Sequence, residues 1–319
     1  MKGLIPAGQP SMFAEKKFLA SPRGELRKPS PLLQFLFLLA LSFAIWEGPL
    51  RTAFTLALNN EEYTHIVLII PVSAALIILE WKSRRLTPSP SPQAGSGLLV
   101  SAILVECLTR WGVPSLSLDL HLSMDILALV IWWIGSFVFC FGTGASLRLR
   151  FPLCFLFFLI PLPEFALDRT VVFLQQQSAY SSQQLFAAVG VPVIRNGMFI
   201  SIPGVTVEVA RECSSIRSSL MLLVTSMVLA HLFLRSFWRK TVVVLAAIPL
   251  SVAKNAVRIF TLSMLGVHVD AGFLHGSLHK KGGIVFFLFA LSIVLLLVWL
   301  LARGEKNSPH NPSLILDKC

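Results

Sequence analysis

Three polar residues in an otherwise apolar chain could do chemistry together. They are Cys213 in Val209-Ala210-Arg211-Glu212-Cys213-Ser214-Ser215, Arg258 in Asn255-Ala256-Val257-Arg258-Ile259, and His279, four residues before Gly283. Cys213 stands where an apolar segment begins, between Arg211 and Arg217. Helix-start amides and nearby cations are the setting that favours a nucleophilic thiolate. Arg258 follows Lys240 by 18 residues. That is a helical rise of about 27 Å, which brings it close to the far interface of a span beginning at the lysine. His279 opens the last apolar segment. A thiol, a guanidinium and an imidazole at one membrane depth suggest an intramembrane cysteine enzyme.

Each residue also has a plainer reading. Free cysteines are commonly small buried apolar residues, and Cys107, Cys140, Cys154 and Cys319 are read that way. Arg258 and Lys254 could both snorkel to the headgroups, a reading that suits Lys254 well. Against it, ionisable groups within spans usually face inward and mark function. Asn255 and Arg258, three apart, share a helix face, and Asn255 and Arg217 are the candidate substrate contacts. His268, His275 and His279 fall in one loop, where spacings of seven and four with only Asp270 nearby make a poor zinc pattern. His275 lies one helical turn before His279 and competes with it. His231, inside a span, reads as structural.

The elements that must position these groups are membrane helices. Hydrophobic residues make up 55% of the 319, charged residues 13%, and the mean hydropathy is +0.75. Soluble domains sit nearer a quarter charged, so the chain is predicted to be an all-α polytopic membrane protein. With roughly 20 apolar residues per crossing, eight spans are expected near 32–48, 65–81, 97–111, 124–142, 149–162, 213–234, 241–265 and 283–302. The fifth stops at Pro161-Leu162-Pro163, because proline lacks an amide donor and disfavours helix in the residue before it. Domains follow as a basic tail over 1–31, a transmembrane domain over 32–302 and a second tail over 303–319. No segment reads as a cleavable signal peptide, and a Pro/Ser-rich linker is expected at 87–96.

The net charge of +11 does not imply nucleic acid, because the basic residues cluster between apolar segments as membrane orientation requires. Alternate loops hold 17 Lys and Arg on one side and 10 on the other. The positive-inside rule then places both termini in the cytoplasm and the 163–212 segment outside. Residues 165–189 mix Phe165, Val172, Leu174, Leu185 and Val189 with glutamines, which suits an amphipathic helix on the outer surface. The alternation over 191–210, broken at Asn196-Gly197 and Pro203-Gly204, reads as a short hairpin leading to Cys213. The five cysteines form no CxxC pair, so neither a metal site nor a disulfide framework is indicated, and no cofactor is expected.

Taken together, these stretches resemble the exosortase family of bacterial membrane transpeptidases, relatives of the archaeosortases. The matching stretches include Tyr63-Thr64-His65, Phe151-Pro152, Ile160-Pro161-Leu162-Pro163 and Gly190-Val191-Pro192-Val193. They continue through Val209 to Ser214, Asn255 to Ile259, and His279 with Gly283. The resemblance implies Cys213 as nucleophile, Arg258 as the family's arginine and His279 as its histidine. It departs from the family in having Ser215 where a glycine is usual. It further implies partners that are exported proteins with a C-terminal Pro-Glu-Pro-type motif, a helix and a basic cluster, cut at the outer face of the inner membrane and passed to an acceptor. Two other classes remain open: a transporter with Arg258 in its pathway, and a lipid-linked glycan or acyl transferase with no covalent cysteine intermediate. Against the transporter, spans one to five are read as nearly free of ionisable residues.

Overall fold

In the computed structural model, residues 30–112, 117–209, 216–270 and 283–306 are described. Helix α1 (Pro31–Ile45) starts where Ser30 Oγ accepts from the Leu33 amide at 3.3 Å and Pro31 takes the first helical position, a place where a missing amide costs nothing. The chain turns through 77° into α2 (Glu47–Asn59), so the expected end of span one at residue 48 is a corner with a second helix behind it. Pro49, which cannot donate to the preceding turn, stands just past that corner. A short turn over Glu61–Tyr63 leads into α3 (Ile66–Arg84).

Helix α4 (Pro92–Cys107) begins at a proline and runs into a π-turn over Leu108–Gly112. It therefore starts five residues before the expected span three and takes up part of the expected linker. Its partner is α5 (Leu118–Phe141). Glycines set their approach: a Cβ on Gly95 would meet the Phe139 backbone at 2.4 Å, and one on Gly135 would meet Leu98 Cβ at 2.9 Å. Small residues permit this close contact between membrane helices. After the short helix α6 (Thr143–Arg148), the expected span five is broken into α7 (Arg150–Phe155) and a 3₁₀ turn (Leu156–Leu159). A 95° bend at the two prolines then opens α8 (Glu164–Ala188).

Beyond α8 lies a three-stranded antiparallel meander of β1 (Ile194–Asn196), β2 (Phe199–Ile202) and β3 (Val205–Glu208). The expected single hairpin is thus two. Its turns fall at the two sequence signals, with Gly197 at φ +61° and Gly204 at φ +92°, where a side chain would be strained. Helices α9 (Ile216–Phe233), α10 (Phe237–His268) and α11 (Gly283–Lys306) complete the bundle. They share a core of Leu222, Ala230, Val243, Ala290, Val294 and Val298.

Among the described residues, six helices are long and apolar enough to cross a membrane, or eight if each bent pair is one span. The protein is a multi-pass, predominantly helical membrane protein. Its two ends differ. At one, Glu80 Oε1 meets His231 Nε2 at 2.5 Å, and Glu305 accepts from the amides of Arg235 and Ser236. Arg84 pairs with Glu80 there and Arg239 with Glu305. At the other, Asp119 accepts from the Glu164 amide, Ser123 Oγ donates to Pro161 O, and Tyr63 OH donates to Leu162 O. These last three bonds satisfy backbone groups that the prolines and the helix break leave exposed.

Candidate active site

Helix α10 buries a polar stripe. Ser251, Lys254, Asn255, Arg258 and Ser263 are all buried, interleaved with Ala247, Ile259 and Leu262 on the same helical period. Lys254 is 4% exposed, Asn255 1% and Arg258 9%. Snorkelling, the expectation for Lys254, is wrong: its ammonium points into the bundle and donates to Ser218 Oγ in the first turn of α9. The physical reason is register. Four residues separate Lys254 from Arg258, so a helix that buries one side chain also buries the other.

Helix α8 supplies a second wall. Its buried stripe is Leu167, Val171, Leu174, Gln175, Ser178, Ala179, Ser182 and Phe186. Most of the residues that mark its expected apolar face look elsewhere, since Phe165, Val172 and Val189 are exposed. The face laid on α10 combines small and polar residues with Phe186, whose ring lies 5.0 Å from that of Phe260. Ser182 Oγ reaches Ala256 O at 3.3 Å, and Gln175 Nε2 donates to Val209 O at 2.8 Å. Val209 is fully buried, and its amide donates to Met198 O. The segment that enters Cys213 is thus tied to α8 and to the sheet four residues upstream. Downstream, Ile216 is buried in the main core.

Several buried polar atoms in this region have no hydrogen-bond partner among the described residues: Ser178 Oγ on α8, and both Nδ2 and Oδ1 of Asn255 on α10. Buried polar groups are ordinarily satisfied.

The structure treats the sequence candidates unequally. Arg258 and Asn255 are brought into the α8–α9–α10 seam beside Lys254 and Ser218. Arg217 is half-exposed and faces the α2–α3 corner, with Nη1 3.6 Å from Glu61 Oε1, so it stands at the rim. Cys213, His275 and His279 lie outside the described residues, as do Arg211, Glu212 and Ser215. His268 is exposed at the end of α10, with Nδ1 3.1 Å from Met264 O. His231 sits at the opposite end, stacked on Phe151 at 3.8 Å between ring centroids. Among the described residues no three His, Cys, Asp or Glu side chains come together as a metal set.

A second buried cluster corrects the expectation that spans one to five carry almost no ionisable groups. Glu106 on α4 accepts from Trp46 Nε1 at 2.7 Å and from Arg110 Nε at 2.6 Å. Asp125 on α5 lies within electrostatic reach of Glu106, Arg110 and His121. The signal was legible as Glu106 and Arg110 four apart in an apolar helix. On the outer face of α8, Gln176, Gln177, Tyr180, Arg195 and Gly197 line an open recess of about 350 Å³.

A protein-family model described as transmembrane exosortase matches residues 57–297 of the chain. No curated protein and no solved structure matches it. The match covers α3 through most of α11, and therefore every wall of the seam. The chain belongs to the transmembrane exosortase family.

Proposed function

We propose that this transmembrane exosortase is a cysteine transpeptidase that cuts the C-terminal sorting signal of exported proteins and transfers them to an acceptor. The observation that carries the reading is Arg258. A guanidinium 9% exposed is held where α8, α9 and α10 meet, in a seam whose α9 wall begins just after Cys213. Cys213 precedes Ile216 by three residues, so covalent geometry alone keeps it within about 11 Å of that buried position.

In this reading the Cys213 thiolate attacks the scissile carbonyl. A thioester forms, and the amine of the downstream peptide leaves, so that one difficult acyl transfer becomes two easier ones. His279 protonates the leaving amine and then takes a proton from the incoming nucleophile. Arg258 remains charged throughout and serves as a donor to the tetrahedral oxyanion or as the counter-charge of the thiolate. Asn255, buried with both amide atoms unengaged, offers one donor and one acceptor to the substrate backbone. Arg217 at the rim is a further contact for the arriving chain. The basic end of the bundle is cytoplasmic in this reading, and the seam opens to the outside of the inner membrane.

Substitution of Cys213 by serine should abolish processing of a co-expressed reporter. Alanine at Cys107, Cys140, Cys154 and Cys319 together should leave it largely intact. A thiol reagent should block a covalent intermediate with the wild-type enzyme; a transporter, or a transferase working without the cysteine, would show none. Full processing by Cys213→Ser would end the covalent mechanism. Orientation is tested separately with an impermeant thiol reagent. It should label cysteines placed at 195 or 270 in intact cells but not one at 306.

A further inference from the structure

Among the described residues, Lys254 is a buried cation without a counter-charge. It is 4% exposed, and its one hydrogen bond goes to the neutral Ser218 hydroxyl. An ammonium has three donors. No carboxylate forms an ion pair with it among the described residues, and the charged group that acts on it is Arg258, of like sign and one turn away. Leaving a charge unpaired in an apolar interior is among the costliest arrangements a fold can hold. The bundle shows that it can supply acids where they are needed, because Glu106, Glu80 and Glu305 are each placed against a cation or a set of amides.

The adjacent residue narrows what the missing group is. Asn255 is 1% exposed and has both a free donor and a free acceptor. A phosphodiester or a sulfate only accepts hydrogen bonds and would leave Oδ1 unsatisfied. A peptide presents a carbonyl and an N–H together, and an acidic side chain adds the charge. Lys254 and Asn255 side by side therefore match an acidic residue within a peptide, backbone and carboxylate both.

We infer that Lys254 is a specificity-determining residue that takes the carboxylate of an acidic residue in the substrate peptide, with Asn255 engaging the adjoining backbone. The inference rests on the peptide-processing reading above and adds to it a residue outside the cysteine, arginine and histidine set. Ser218 positions the ammonium from α9. The seam is thereby completed by its substrate: the charge the fold leaves open is closed when the peptide arrives.

The test is a two-sided cycle with the full-length enzyme in membranes. Acidic residues of a reporter peptide's sorting segment are changed to their amides one at a time, and each is processed by the parent and by Lys254→Met. At one acidic position, the amide and Lys254→Met should each lower kcat/KM at least about 30-fold, the scale for breaking one side of a buried charge pair. The two changes together should cost no more than either alone. Lys254→Met should insert normally and unfold in detergent at the parent temperature or above, since it removes a buried charge. Lys254→Arg, which retains the cation, should keep the preference for acid over amide if the methionine variant accumulates poorly. Losses that multiply at every position, or amide substrates processed as fast as acidic ones by the parent, would overturn the inference. Cys213→Ser is run alongside. Processing by that variant would defeat the covalent mechanism while leaving the Lys254 cycle readable, so the two failures are separable.

Discussion

Glu106 is paired with a cation within the chain, whereas among the described residues no carboxylate pairs with Lys254. Glu106 receives Trp46 from the α1–α2 corner and Arg110 from the π-turn that continues its own helix, at 2.7 and 2.6 Å. At the basic end, Glu80 takes both His231 and Arg84. These clusters lock helices together: Trp46 fixes the 77° corner to α4, and Glu80 fixes α3 to α9. The α8–α9–α10 seam is built differently. It holds two cations a turn apart, an amide with no partner and an orphaned serine hydroxyl. Both regions are polar, buried and helical, so polarity in a membrane interior does not by itself mark a functional site. What separates them is charge pairing: Arg84, His231 and Arg110 each face a carboxylate, and among the described residues Lys254 does not.

That contrast makes predictions of graded size. The largest concerns the histidine proposed to serve the seam. His279→Ala should lower turnover about 10²–10⁴-fold, the range for losing a general acid–base group. His275→Ala and His268→Ala should each have little effect. With expression held equal, turnover across pH checks this, and a loss confined to His275→Ala would move the assignment one turn upstream. Next comes Arg258→Lys. Lysine keeps the charge but loses the planar fork of donors, so insertion should be normal and turnover should fall about 10²–10³-fold. Near-parent turnover would reduce Arg258 to a counter-charge. The smallest effect on chemistry belongs to the matched cluster. Glu106→Leu leaves Trp46 Nε1 without its acceptor and should cost about 1–3 kcal/mol in stability. It should be read as a lower unfolding temperature, with turnover per folded molecule unchanged. Lost turnover at full stability would place Glu106 with the seam and erase the distinction.

Much of this arrangement is legible in the sequence, because membrane helices announce themselves by length and apolarity. The eight apolar segments fall where the helices form. Pro161-Leu162-Pro163 marks the 95° bend, and Asn196-Gly197 and Pro203-Gly204 mark the turns of the meander. The departures have physical causes. Pro92 reads as linker, yet proline at a first helical position starts a helix as readily as it ends one, and the close approach of α4 and α5 at Gly95 and Gly135 is a tertiary contact that sequence spacing does not show. The buried face of helix α8 is only partly legible, because Gln175, Ser178, Ala179 and Ser182 are interleaved with its buried Leu167, Val171, Leu174 and Phe186, and no hydrophobic pattern selects them. Lys254 reads as a snorkelling residue because local spacing cannot show that α9 brings Ser218 opposite it. The stripe of Asn255 and Arg258 was legible for the opposite reason: three residues apart on one helix, they need no tertiary information to share a face.

Helix α10 runs for 32 residues without a break, about 48 Å at 1.5 Å per residue, against a hydrocarbon core of about 30 Å. One rod therefore does two jobs: its first half packs between α9 and α11, and its second carries α8 and the sheet through Ala256, Ile259 and Met264. Arg258 sits on that rod about 27 Å above Lys240, so the altitude of the seam is a property of covalent spacing and not of the surrounding lipid. A thicker bilayer would submerge the seam and a thinner one would lift it clear. The protein thus carries its own ruler, and the depth at which it works is written in the number of residues between one lysine and one arginine.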